Sequence, residues 1–147
     1  MFVRLVNSTL TLQWIHRISD RTTHPLHATA NPATISYCTW SPVSHSIAYV
    51  TGNDLYILPA DQIDAASPKS IRVTSDGAPS IFNGVPDWVY EEEVFSADFA
   101  LWWNPTGDTV AYLRSDETEV RDFKLEYYNP TEDAFKVNPY LTELVMK

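Results

Sequence analysis

A repeat with an offset of 63 residues is the feature that most constrains the fold of this 147-residue chain. The segment Trp40–Val50 aligns without gaps with Trp103–Leu113, and Trp, Pro, Ala and Tyr stand at the same places in both copies. In each copy, apolar runs flank a turn that contains Pro with Ser, Gly or Asp, which is typical of two antiparallel strands joined by a tight turn. The chain is therefore expected to contain repeated hairpins.

The first copy extends into a four-stranded unit. Gly52-Asn53-Asp54 predicts a second turn, which leads into an apolar strand at 55–58. A polar insertion at 59–69 then leads to a further strand at 71–74. Four short antiparallel strands in this order have the length of one β-propeller blade.

The rest of the chain fits a second blade and part of a third. Further strands are predicted at 14–18, 23–26, 120–128 and 134–137, and residues 28–34 are predicted to form a loop. We therefore expect an all-β fold, an incomplete β-propeller of about two to three four-stranded antiparallel blades. The alternative is a sandwich built from simple repeated hairpins.

Between the two copies lies the acidic motif, Asp87-Trp88-Val89-Tyr90-Glu91-Glu92-Glu93-Val94-Phe95. In a propeller, residues 76–97 would connect the outermost strand of one blade to the innermost strand of the next, across the face of the disc. A short helical turn is expected near 87–95, with Asp87 as its N-cap. Its expected anchors are aromatic: Trp88, Tyr90 and Phe95. The alternative is an ordinary surface turn with solvated glutamates.

The negative charge is concentrated in one region. Residues 87–133 contain thirteen acidic and three basic residues, a net charge of −10, whereas the whole chain has a formal charge of −9. Nucleic acid is excluded as a partner, because phosphate binding needs clustered Lys and Arg. The acidic region instead favours a cationic ligand.

Neither a metal nor another cofactor is expected. His24 and His27 have ligand-like spacing, but Pro25 lies between them and no further ligands are apparent. Cys38 is the only cysteine, so no intrachain disulfide is possible, and its strand-like surroundings predict a buried thiol. Asn7-Ser8-Thr9 is the one N-glycosylation sequon. No apolar run approaches the ~20 residues of a membrane-spanning helix.

The sequence around the acidic motif resembles the dipeptidyl peptidase IV branch of the prolyl oligopeptidase family of serine peptidases. The similarity covers roughly residues 14–128. It continues beyond the motif through Ala100-Leu101-Trp102-Trp103-Asn104-Pro105, Ala111-Tyr112-Leu113-Arg114 and Asp116-Glu117-Thr118-Glu119-Val120, and upstream it includes Trp40-Ser41-Pro42, Asn53-Asp54-Leu55-Tyr56 and Asn83-Gly84.

This resemblance implies a β-propeller that covers an α/β-hydrolase domain and a parent enzyme that releases X-Pro or X-Ala dipeptides from peptide N-termini. It assigns Glu92 and Glu93 to the substrate's N-terminal ammonium. The motif-supporting residues would be Asp87, Trp88, Tyr90 and Glu91. The implied partners are peptides with a free N-terminus and a second copy of the parent, a homodimer. The implied location is the secretory pathway, as a secreted, vacuolar or type II membrane protein.

The chain also departs from the family pattern. A serine nucleophile of this family lies in a Gly-x-Ser-x-Gly turn, in which the two glycines are four positions apart. No two of the four glycines in this sequence have that spacing. The family's substrate-binding arginine has no counterpart in the matching stretch, and its role is not transferred to Arg4. We therefore expect residues 1–147 to be a propeller fragment without the hydrolase domain, inactive alone, and marginally stable or oligomeric. The alternative is a non-catalytic propeller module for protein–protein interaction.

Overall fold

The computed structural model describes residues 13–27, 35–65, 68–121, 123–125 and 144–146. The chain divides into two compact units, Met1–Asp116 and Glu117–Lys147. The strands of the first unit are β1 (Trp14–His16), β2 (Thr23–Pro25), β3 (Ile35–Trp40), β4 (Ile47–Thr51), β5 (Asp54–Leu58), β6 (Ile71–Arg72), β7 (Ile81–Asn83), β8 (Leu101–Trp103), β9 (Val110–Tyr112) and β10 (Arg114–Asp116). Its helical segments are the short turns Ala60–Gln62 and Tyr90–Phe95.

The predicted four-stranded antiparallel unit is present as the sheet β3-β4-β5-β6. Its central hairpin pairs Thr51 with Asp54 across the two-residue turn Gly52-Asn53. Both turn residues have positive φ, 58° for Gly52 and 61° for Asn53, which is the backbone of a type I′ turn. Glycine and asparagine tolerate this conformation best, so the sequence fixes the register of the hairpin at this point.

Strand β4 lies at the centre of the first unit, since Ile47, Ala48, Tyr49 and Val50 are each 2% exposed or less. Successive side chains of a strand point to opposite faces, so β4 contributes to two separate cores. The front core contains Ile15, Leu26, Ile35, Ile47, Tyr49 and Leu58. The back core contains Ala48, Val50, Leu55, Val85 and Leu101. Both faces of the four-stranded sheet are therefore covered, as they are in a propeller blade that lies between two others.

The two copies of the repeat have matching turns that contact each other. Ser41 N–H donates to Ser46 O at 2.7 Å, and Asn104 N–H donates to Thr109 O, at the same positions of the second copy, at 2.9 Å. The hydroxyls of Ser41 and Ser44 both donate to the carbonyl of Gly107, each at 3.0 Å. The repeat is thus a pair of equivalent hairpins whose turns are hydrogen-bonded to one another.

The second copy departs from the predicted four-stranded blade. Strands β8 and β9 form the expected hairpin, but the chain beyond β9 continues into β10, which pairs with β7. Within residues 76–97, the predicted connection between two blades, the structure has a short strand at Ile81–Asn83 that the sequence analysis does not predict. This segment is too short to stand out between turn-forming residues, and only its pairing with Arg114–Asp116 makes it a strand. No closure of a propeller ring is seen among the described residues.

A buried polar network joins the start of β5 to the chain after β6. Asp54 is 3% exposed, and its Oδ1 accepts hydrogen bonds from the Thr74 hydroxyl at 2.8 Å and from Gly77 N–H at 2.9 Å. Its other oxygen pairs with the Arg72 guanidinium. Burial would raise the pKa of Asp54, but the hydrogen bonds from Arg72, Thr74 and Gly77 outweigh it and hold the pKa below its usual range.

The second unit contains β11 (Phe123–Leu125) and β12 (Leu144–Met146), which pair antiparallel with Lys124 opposite Val145. Strand β11 lies inside the predicted strand at 120–128. The loop predicted at 28–34 and the strand predicted at 134–137 lie outside the described residues, as do Arg4 and Asn7. None of the helices in the described part of the chain is long and apolar enough to cross a membrane.

Replacing Gly107 with alanine should destabilise the first unit through backbone strain and a collision. Gly107 has φ of 73°, and an added Cβ would overlap Ser41 Oγ. Gly52→Ala is the matched control, because Gly52 has φ of 58° but an added Cβ meets nothing within 4 Å. We expect a loss of about 1–2 kcal/mol in the free energy of unfolding for the control and a clearly larger loss for Gly107→Ala. Urea denaturation measures both, and equal losses would contradict the contact between the two turns.

The Asp54 network should make stability depend on pH in the acid range. The pKa of Asp54 is lower in the folded than in the unfolded chain. The stabilising contribution of this carboxylate is therefore complete above its pKa in the unfolded chain, which is about 4. The contribution is lost as the pH falls from that pKa through the lower pKa of Asp54 in the folded chain. Asp54→Asn should cost about 3 kcal/mol at neutral pH, because it leaves the network without its anion. The difference in free energy of unfolding between wild type and variant should narrow below about pH 4. A difference that is independent of pH would contradict this assignment.

Candidate functional site

The acidic motif lies in a loop that interrupts a strand. Strands β9 and β10 follow each other along the chain with only Leu113 between them. Because β8 pairs with β9 and β7 pairs with β10, β7 and β8 lie end to end beside this segment, as two parts of one strand. At the junction Gly84 N–H donates to Leu113 O, Ala100 N–H to Gly84 O, and Leu113 N–H to Ala100 O, each at 2.9 Å. We call residues 85–99 the acidic loop and these three hydrogen bonds its neck.

Gly84 is required at the neck. Its φ is 79°, and an added Cβ would lie 3.2 Å from side-chain atoms of both Leu101 and Val50. A larger residue would therefore strain the backbone and press on the back core. The Asn83-Gly84 pair is visible in the sequence as a turn signal, but nothing local shows that the chain returns to the same strand line at Ala100.

The loop enters its helix through three consecutive buried residues, Val85, Pro86 and Asp87. Val85 belongs to the back core, and Asp87 is 8% exposed. Asp87 Oδ1 accepts a hydrogen bond from Tyr90 N–H at 2.7 Å, and its main-chain carbonyl accepts one from Glu91 N–H at 2.8 Å. Trp88 and Val89 are α-helical and lead directly into the segment that begins at Tyr90. Counted from Trp88, Asp87 stands at the predicted N-cap position and satisfies a main-chain donor that the first helical turn would otherwise leave free.

The helical segment Tyr90–Phe95, called here the acidic helix, is a π-helix. It ends at Ser96, which has the left-handed values φ 50° and ψ 36° and donates its N–H to the Glu91 carbonyl. Ala97 N–H donates to the same carbonyl at 3.2 Å. A π-turn is wider than an α-turn, and short segments of this kind occur frequently at functional sites. The sequence motif predicts the helix but not its widened turn.

The acidic helix presents its polar residues outward. Glu92 and Glu93 are exposed, whereas Glu91 is half-buried. Among the described residues, the carboxylates of Glu92 and Glu93 take part in no hydrogen bond or ion pair. Three arginines of the same unit have carboxylate partners: Arg17 with Asp20 and Asp64, Arg72 with Asp54, and Arg114 with Asp76 and Asp116. The two neighbouring glutamates are therefore available to an external cation.

The aromatic residues of the motif are less buried than the sequence predicts. Trp88 is 50% and Tyr90 is 47% exposed, while the Tyr90 ring lies 5.8 Å from the ring of Phe95. The start of the loop is held instead by the buried residues 85–87, of which Val85 belongs to the back core. The exposed rings leave an apolar surface on the same short loop as the glutamates.

The titratable or nucleophilic side chains of His27 and Cys38 have structural surroundings. In the described part of the chain no three His, Cys, Asp or Glu side chains meet as they would around a metal ion. His27 Nδ1 lies 2.7 Å from the Tyr49 hydroxyl, and burial lowers the pKa of this histidine. Burial raises the pKa of the Cys38 thiol to about 11, so the thiol stays protonated at neutral pH.

Comparisons with known proteins agree with the sequence resemblance. Residues 7–143 match the family described as the dipeptidyl peptidase IV (DPP IV) N-terminal region. A probable dipeptidyl peptidase 4 of Trichophyton verrucosum is 53% identical over 94 residues, which cover 64% of this chain and 12% of that protein. A probable dipeptidyl-aminopeptidase B of Tuber melanosporum is 42% identical over 116 residues, 78% of this chain and 13% of that protein.

The fold is similar to part of a solved structure. The crystal structure of Porphyromonas gingivalis dipeptidyl peptidase 4 matches 99% of this chain and 19% of its own length, with a TM-score of 0.72 and 24% sequence identity. The chain spans about an eighth of the length of the two curated relatives named above, and it matches their N-terminal part. On the family match, which extends over most of its length, this chain belongs to the dipeptidyl peptidase IV N-terminal region family.

Proposed function

We propose that this chain is the substrate-recognition part of a dipeptidyl peptidase IV-like serine exopeptidase. In this proposal, Glu92 and Glu93 bind the N-terminal ammonium of a peptide, and the parent enzyme releases X-Pro or X-Ala dipeptides. The observation that carries the proposal is the pair of exposed, unpartnered carboxylates on a helix fixed at both ends. The relatives' names support it, since they describe dipeptidyl peptidases and dipeptidyl-aminopeptidases.

An ammonium group is a suitable ligand for two neighbouring carboxylates. It has three N–H donors and no acceptor, whereas each ionised carboxylate has only acceptors. Hydrogen bonds between two charged partners are shorter and stronger than neutral ones. A pair of carboxylates can therefore neutralise the ammonium and also fix its direction, while one alone would leave the amine free to pivot.

The surrounding charge would favour the same ligand. The acidic loop itself contains five acidic residues and no Lys or Arg, a net charge of −5. An extended negative field raises the local concentration of cations and is screened by salt over about 8 Å at physiological ionic strength. Binding of a peptide amine should therefore weaken as salt is added. A peptide whose amine is acetylated carries no such charge.

The role proposed for the chain is binding rather than bond cleavage. The sequence contains no Gly-x-Ser-x-Gly turn that could present a serine nucleophile. In the parent enzyme, the amine site would set the distance from the peptide's N-terminus to the bond that is cut. This would explain how an acidic loop on a β-sheet contributes to the release of dipeptides.

The amine site predicts a difference between a free and a blocked peptide. The amide of Gly-Pro should bind the chain, and its N-acetylated form should not, in an NMR titration of the isotope-labelled protein near pH 7. Glu92→Gln and Glu93→Gln should each weaken binding of the free amine about tenfold, the loss of roughly one charge-assisted hydrogen bond. Binding should also weaken above about pH 8, where an α-amino group loses its proton.

Asp61→Asn is the matched control, since it removes an exposed carboxylate from the short helical turn Ala60–Gln62 and should leave the dissociation constant unchanged. Equal affinity for the free and the acetylated peptide would contradict the proposal. A loss of affinity in Asp61→Asn as large as that in the glutamate variants would show general charge attraction instead of a defined site.

The absence of a serine turn from the sequence predicts that the purified chain does not cleave a fluorogenic Gly-Pro amide. We expect fluorescence to rise no faster with the chain than with buffer alone. An inhibitor of serine peptidases should make no difference to the result. Turnover that remains with the protein through successive chromatography steps would overturn this assignment.

A further inference from the structure

We propose that Asp87 is the positioning residue of the amine site, because its carboxylate acts as a hydrogen-bond acceptor that fixes the direction of Glu92 and Glu93. This inference rests on the proposed function. Asp87 is not offered as a ligand of the amine, and the two hydrogen bonds described for it come from Tyr90 and Glu91 of the acidic loop. Its effect on binding would pass through the main chain of the acidic helix.

The burial of Asp87 separates it from the other acidic residues of the motif. Asp87 is 8% exposed, whereas Glu92 and Glu93 are exposed. A carboxylate is seldom buried unless hydrogen bonds compensate for the lost water. Here Oδ1 accepts the Tyr90 N–H at 2.7 Å. The side chain is thus committed to the first turn of the helix and is not available to a ligand in solution.

The hydrogen bonds of Glu91 link Asp87 to the far end of the helix. The N–H of Glu91 donates to the Asp87 carbonyl at 2.8 Å, and the carbonyl of Glu91 accepts N–H groups from Ser96 and from Ala97, the latter at 3.2 Å. Glu92 and Glu93 lie between these two attachments. Loss of the Asp87 side chain would leave the main-chain bond from Glu91 in place but would remove the acceptor of the Tyr90 N–H, which lies one residue before it. The first turn, from which Glu92 and Glu93 follow, would then be held less firmly than the far end of the helix.

Two substitutions separate the acceptor role of Asp87 from its charge. Asp87→Ala removes both the acceptor and the charge. Asp87→Asn removes the charge and keeps an oxygen that can accept from the Tyr90 N–H, since asparagine is as good an N-cap as aspartate. A positioning role therefore predicts rescue by asparagine. A role of the negative charge in attracting the ammonium predicts that asparagine fails as alanine does.

The test measures binding of Gly-Pro amide and of its N-acetylated form to the full chain by NMR, together with hydrogen exchange of the Tyr90 amide. Asp87→Ala should weaken binding of the free amine about tenfold and speed exchange of that amide. Asp87→Asn should stay within about twofold of wild type in both measurements. Asp87→Ser, another good N-cap, keeps the test decisive if the alanine variant does not fold, because it should also retain binding.

The outcomes distinguish this inference from the function on which it rests. If wild type binds both peptides equally, the amine site itself is wrong and the inference falls with it. If wild type prefers the free amine and Asp87→Ala binds it as tightly, only the positioning role is overturned. If Asp87→Asn loses as much affinity as Asp87→Ala while Tyr90 stays protected, Asp87 acts through its charge and the positioning role is again overturned.

Discussion

The burial of strand β4 on both faces is the constraint on which the rest of the first unit depends. Its side chains alternate between the front core, through Ile47 and Tyr49, and the back core, through Ala48 and Val50. A strand covered on both sides must be apolar at successive positions, and it can tolerate a register shift on neither side. The back core includes Val85 and Leu101, which directly follow the neck residues Gly84 and Ala100 in the sequence. The position of the acidic loop is therefore determined by the same packing that holds the sheet.

The acidic loop combines a fixed base with an exposed tip. Its base is held by main-chain hydrogen bonds at Gly84, Ala100 and Leu113 and by the burial of Val85. Its tip carries carboxylates whose mutual repulsion costs little in water, because solvent screens neighbouring charges at the surface. The tip can therefore hold neighbouring carboxylates without burying a charge. The loop lies within residues 7–143, which match the dipeptidyl peptidase IV N-terminal region family.

The sequence predicts those features that depend on neighbouring residues. Gly52-Asn53 predicts its hairpin because few other residues adopt positive φ, and the repeat predicts the two Pro-containing turns and the strands beside them. The family resemblance also leads to the acidic motif, whose proposed amine-binding role is still to be tested. Features that depend on distant partners are not predicted: Ile81–Asn83 becomes a strand only opposite Arg114–Asp116, and Asp54 becomes a buried anion only because Arg72, Thr74 and Gly77 surround it. The wide turn at Tyr90–Phe95 is likewise not predicted, because it depends on which main-chain carbonyl each N–H contacts, and the side chains do not specify this.

The neck has a consequence for how such a protein can change during evolution. Within an ordinary strand, inserting or deleting one residue moves every following side chain to the opposite face of the sheet. Here the chain leaves the sheet at Gly84 and rejoins it at Ala100, and the hydrogen bond between these two residues restores the alignment. A change of length between them would leave the alternation of β7 and β8 intact, and lengthening a loop costs only about 0.6 kcal/mol for each doubling. The length and sequence of the acidic loop can thus diverge among relatives while the pairing of the surrounding strands is inherited unchanged.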